Sequence, residues 1–150
     1  MAVNALSRRA ESAARSHPDV LPLATRVVAV CCLFGAEAIH TAVIQEHIDE
    51  WLPIGLFFLT ISIVEGFLAV ALIIEPSRWL IRVIVVVSLG TVSLWLYTRT
   101  LGLPIGPMAG SVEAMGRLDI ICSVLEVVTA AALLLRPRQR NQSARRGSAA

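Results

Sequence analysis

Four side chains of types that could cooperate in chemistry, Glu37, His40, Glu65 and Glu126, are set in long apolar runs. Glu37 and His40 have the i, i+3 spacing by which a helix offers a carboxylate and an imidazole to one metal in four-helix carboxylate proteins. At about 100° per residue, Glu37, His40, Ile44 and His47 share a helical arc of roughly 80°. Glu65 and Glu126 could add terminal or bridging oxygens. His47, Asp49, Glu50 and Asp119 would then form the outer approach to this metal set. Di-iron sites use the Glu-x-x-His motif twice, and here it occurs once. His40 and His47 lie about 10 Å apart along a helix axis, too far to share one metal.

The elements that must position these groups follow from composition. With 150 residues, 56% hydrophobic and 16% charged, and a mean hydropathy of +0.73, the chain reads as an integral membrane protein. Four apolar runs, about 23–48, 54–74, 78–98 and 115–135, each approach the ~20 residues that cross about 30 Å of hydrocarbon. Residues 1–22 form a polar tail, and residues 136–150 a basic tail expected to be disordered. Ala36-Glu37-Ala38 resembles a signal-peptide cleavage site, but the preceding polar region is long and apolar character resumes after it. Gln45–Pro53 reads as a short acidic connection, with Pro53 suited to the first turn of the next helix. Ser77 is a candidate helix cap after Glu75-Pro76. The Gly- and Pro-rich stretch from Arg99 to Gly110 reads as a loop.

All thirteen basic residues are arginines, which hints at a GC-rich bacterial genome. Eleven of them fall in the two tails, at the start of the first span and after the second span, leaving only Arg99 and Arg117 on the opposite side. The positive-inside rule therefore puts both termini in the cytoplasm, as expected for a bacterial inner-membrane protein. Trp51, Trp95 and Tyr97 then fall near the outer interface and Trp79 near the inner one. This topology accounts for the basic tails without a nucleic-acid partner. The expected fold is all-α, a four-helix transmembrane bundle.

Depth singles out the acids. Counted from the flanking charged or Pro residues, Glu37, Glu65 and Glu126 each sit near the middle of a span, with His40 one turn outward. An intramembrane acid costs free energy and is a functional hypothesis by default. No lysine or arginine lies at that level, so either the acids carry protons or a bound cation balances them. Asp119, Cys122, Ser123, Glu126 and Thr129 share one stripe of the fourth span; Ser88, Thr91, Trp95 and Arg99 share one of the third. Ser62 stands a turn from Glu65 on the second. Stripes of Ser and Thr are ordinary interhelical packing.

Three chemistries fit such a set: a metal or cation site, a proton path, and haem. The path has candidate groups outward of the glutamates, in His47, Asp49, Glu50 and Asp119. On the cytoplasmic side it has little beyond Thr129 and Cys31-Cys32. Bis-His haem needs two deep imidazoles, and only His40 is deep, which leaves a haem shared between two copies. Cys31, Cys32 and Cys122 form no Cys-x-x-Cys pair and read as small apolar filler. Arg99 is placed to pair with Asp119 or with the acidic connection and so to anchor the loop over the bundle mouth. No nucleophile, cofactor fingerprint or soluble domain is visible, which makes an enzyme the least supported class.

The stretch His40…Glu46-His47…Glu50-Trp51-Leu52-Pro53-Ile54-Gly55, with Arg99-Thr100-Leu101-Gly102-Leu103-Pro104-Ile105-Gly106-Pro107 and then Glu113…Asp119…Glu126, resembles a group of small four-span membrane proteins of GC-rich bacteria. The resemblance covers about residues 25–135; it implies the architecture and carries over no activity. Two functions follow as expectations. One is a membrane protein with a buried carboxylate–histidine site for a transition metal, another cation or protons. The other is an accessory subunit whose polar stripes pack against a membrane-complex partner or a second copy.

Overall fold

The computed structural model describes residues 21–135, so the readings made for the two tails lie outside the described residues, apart from Leu21 and Pro22. Among the described residues there are four helices and no strand: α1 (Leu23–Glu50), α2 (Leu52–Ile74), α3 (Arg78–Thr100) and α4 (Arg117–Leu134). The helix ends follow local chemistry. Pro53 occupies the first turn of α2, where its missing N–H costs nothing. Ser77 Oγ accepts from Leu80 N at 3.1 Å and caps α3.

Two boundaries differ from expectation: α3 runs on through Arg99 and Thr100, two residues into the expected loop, and α1 runs on into the expected connection. The acidic connection is helical as far as Glu50, and Trp51 alone, in extended backbone, makes the turn into α2. Gln45 Nε2 donates to Asp49 Oδ1 at 2.9 Å, an i, i+4 bond that supports this last stretch of helix. So abrupt a turn brings α1 and α2 together at Gly55. A Cβ there would stand 2.7 Å from Ile48 N and 2.8 Å from Ile48 Cα, both backbone atoms. Gly55→Ala is therefore expected to cost about 1–3 kcal/mol by overpacking, read as a lower melting temperature of the protein in detergent.

The helices run up and down in cyclic order, α1 packing on α2 and α4, and α4 on α3. α2 and α3 close the ring only loosely, although just three residues join them. Along its axis the bundle has two unlike halves. The half nearer the described chain ends is a close-packed apolar core of Ala29, Leu33, Ala69, Leu72, Ile84 and Leu133, among others. Next comes a layer of buried polar side chains: His40, Ser62, Glu65, Ser88, Glu126 and Thr129. Beyond that layer, toward the Trp51 turn and the 101–116 loop, the bundle encloses a cavity of about 260 Å³.

The outside of the bundle is apolar. Ile63, Phe67 and Val86 are each more than 60% exposed. Large contiguous apolar surface of this kind marks a membrane or protein contact. Helices α1, α2 and α3 are long and apolar enough to cross a membrane. Helix α4 is shorter, 18 residues, and carries Arg117, Asp119 and Glu126.

Candidate metal centre

The polar layer contains one compact constellation. His40 from α1, Glu65 from α2 and Glu126 from α4 offer ligand atoms that all lie within 4.8 Å of one another, and all three residues are buried. His40 Nδ1 donates to Glu65 Oε2 at 2.9 Å. The second nitrogen, Nε2, lies 3.3 Å from Cys122 Sγ. Both faces of the imidazole are thereby held, and His40 is turned into the bundle rather than toward a second copy that could share a haem.

The carboxyl oxygens are poorly served. Among the described residues only Glu65 Oε2 has a donor: Glu65 Oε1, Glu126 Oε1 and Glu126 Oε2 are buried without one. Buried polar atoms are normally paired, and those that are not call for an ion, a proton or water. All three atoms are sealed from solvent. Ser88 Oγ, also buried, neighbours Glu126.

Glu37 is not brought into this group. Its Oε1 accepts from Thr41 Oγ1 at 3.1 Å, Thr41 in turn meets Ser62 Oγ at 2.6 Å, and Gly66 of α2 lies against its Cγ. The reason is rotational: three residues advance a helix by about 300°, so His40 and Glu37 diverge by a sixth of a turn. That difference sends one into the bundle and leaves the other at the α1–α2 contact.

The outer approach divides similarly. His47 and Asp119 line the cavity, as do His40 and Glu126, while Asp49 and Glu50 are exposed and take no part in its wall. His47 Nδ1 donates to Val43 O at 2.8 Å, and its ring lies 4.2 Å from that of Phe58. Arg99 forks: Nη2 donates to Asp119 Oδ2 at 2.7 Å and Nη1 to Glu113, which ties the loop to the tops of α3 and α4. Asp119 Oδ2 also accepts from Gly116 N at 2.9 Å and so caps α4. Gly106, at φ +98°, rests on the Trp51 ring, where a Cβ would come within 2.9 Å. The loop therefore covers the cavity mouth, with Leu103 and Ile105 in its wall.

Two features escaped the residue pattern. Cys122, read as filler, is a partner of His40; the only sequence signal was its place one turn before Glu126 on the α4 stripe. The Ser and Thr stripes mostly turn back on their own helices, as when Thr91, Thr98 and Thr129 donate to Val87 O, Trp95 O and Leu125 O. Among the described residues only Thr41 and Ser62 join hydroxyls across helices.

A thiol both donates and accepts, so Cys122 can serve either tautomer of His40. If a metal takes the nitrogen facing Glu65, Nε2–H donates to the sulfur and fixes the ring. Outer partners of ligating histidines are commonly worth about 10–100-fold in metal affinity. Cys122→Ala is expected to weaken metal binding by that factor with unchanged stoichiometry, and Cys122→Ser to recover most of it, as measured by competition with a chromophoric chelator.

Compared with known proteins, the chain matches no family model, no curated protein and no solved structure.

Proposed function

We propose that this is a multi-pass membrane protein whose four helices all cross the bilayer, with both termini cytoplasmic. At mid-membrane His40, Glu65 and Glu126 bind one divalent transition-metal ion. The observation that carries the reading is that His40, Glu65 and Glu126 are buried with one ligand atom from each within 4.8 Å of the others, and that three of the carboxyl oxygens have no donor among the described residues. Ligands about 2.1 Å from one tetrahedral metal stand about 3.4 Å apart. A separation of at most 4.8 Å closes to that with modest side-chain shifts.

Charge supports the same conclusion. Two carboxylates and a neutral imidazole carry two negative charges, which one divalent cation cancels. An uncompensated charge at mid-membrane would be costly. Imidazole with carboxylate suits zinc, iron or manganese rather than the oxygen-only chemistry of calcium. Three protein ligands leave at least one coordination position, and His40 and Glu126 both border the cavity. An ion held in this way borders the cavity on the outer side, with the apolar core between it and the cytoplasm. Binding or redox chemistry at the outer side fits that asymmetry better than through-transport.

The test is metal-dependent stability. Protein stripped with chelator in mild detergent should gain about 2–3 kcal/mol when a cognate ion is supplied at ~100 times its Kd. This would appear as a rise in melting temperature. No rise with zinc, iron(II) or manganese would overturn the assignment.

A further inference from the structure

The cavity above the metal centre has a chemistry of its own. Its wall is mostly apolar and strongly aromatic, with Trp51, Phe57, Phe58 and Trp95 around it. Trp95 and Arg99 line its outer end, and their donors Trp95 Nε1 and Arg99 Nε are buried without an acceptor among the described residues. The Arg99 side chain is 8% exposed, and its other nitrogens are already committed to Glu113 and Asp119. A cavity of about 150 Å³ holds a benzene ring; this one, at about 260 Å³, has room for a substituted or fused ring. Helices α2 and α3 both contribute to its wall, and the seam between them is the least packed in the bundle. That seam faces the apolar exterior.

From the aromatic wall, the orphaned donors and the loose seam together, we propose that the cavity binds a small lipid-soluble aromatic carbonyl compound. Its ring packs among Trp51, Phe58 and Trp95, and its oxygen accepts from Trp95 and Arg99. Water would satisfy the donors but leave the aromatic wall unfilled; a hydrocarbon would do the reverse. The ligand reaches the site laterally, between α2 and α3, because the loop above is tied down by Arg99. This inference does not depend on the metal, since Trp95 and Arg99 stand at the opposite end of the cavity from His40 and Glu126.

The experiment compares two probes of nearly the same shape, 2-acetylnaphthalene and 2-ethylnaphthalene, by calorimetry on the full chain in lipid nanodiscs. The expected result is saturable binding of the ketone about tenfold tighter than the hydrocarbon. Trp95→Phe should weaken the ketone about three- to tenfold and leave the hydrocarbon unchanged. Ser123→Phe, which fills the cavity, should abolish saturable binding of both while helicity is retained. Equal affinities for the two probes in the unmodified protein would overturn the proposal without any variant. So would non-saturating uptake that Ser123→Phe does not alter.

Discussion

Replacing both buried carboxylates with amides, Glu65→Gln with Glu126→Gln, is expected to abolish metal binding and at the same time to raise the stability of the metal-free protein. The two effects share one cause. In the metal-free state three carboxyl oxygens lack donors, and each unsatisfied buried group costs about 1–3 kcal/mol. Amides remove the charge and supply N–H donors of nearly the same shape, so the variant can pair its own side chains and reach Ser88. The expected gain is about 1–3 kcal/mol over chelator-stripped wild type, with no response to added metal. Thermal melts with and without ion measure both. A simple packing layer predicts the opposite pattern, in which the amides change little and neither protein responds to metal.

The second large effect is at the mouth. Arg99→Met keeps the apolar length of the side chain but leaves Glu113 and Asp119 without their shared cation. Both carboxylates are about a third exposed, so solvent screens much of the loss and the cost is about 1–2 kcal/mol, below that of a fully buried pair. The structural consequence is larger. Asp119 caps α4 through Gly116 N, and Arg99 holds that carboxylate in place, so one substitution loosens both the loop and the helix start. The 101–116 segment is expected to become sensitive to protease at low enzyme ratios that spare the wild type. Arg99→Lys should restore less than half of the protection, because a single ammonium cannot span two carboxylates as a planar fork does. Unchanged proteolysis in Arg99→Met would show that the loop is held by Gly106 on Trp51 instead.

Much of this arrangement can be read from the residues alone, and the limit has a physical form. Helix ends are local matters, so Pro53 and Ser77 announce them directly. Depth is almost as accessible, because helical rise is constant: counting from flanking charges puts Glu37, Glu65 and Glu126 at one level with His40 one turn outward, and the structure joins Glu65 and Glu126 with His40 instead of Glu37. Rotation is harder. Glu37 and His40 share a face broadly defined, yet a sixth of a turn separates a bundle interior from a helix–helix contact. Which way each helix turns is decided by packing against its neighbours, not by its own sequence. The same ignorance hid the role of Cys122, since its contact with His40 joins residues 82 positions apart. The cavity was invisible for a further reason. It is the space left where Trp51, Phe58 and Trp95 fail to interlock, and no single residue encodes a void.

The two unlike halves of the bundle carry the functional meaning. On one side of the polar layer the buried apolar side chains form a packed core; on the other the cavity runs from His40 and Glu126 toward the Arg99 latch. A buried site with a cavity on one side and a packed core on the other suits the proposed role of holding an ion or a small molecule.

The most direct test is the metal content of the unmodified protein, purified in mild detergent without chelator and incubated with zinc, iron(II) and manganese before desalting. The expected result is about one divalent ion per chain, displaced by strong chelators and missing from the double-amide variant. Metal-free protein after all three incubations, with a melting temperature equal to that of the variant, would contradict the central claim and leave the glutamates as proton-bearing groups.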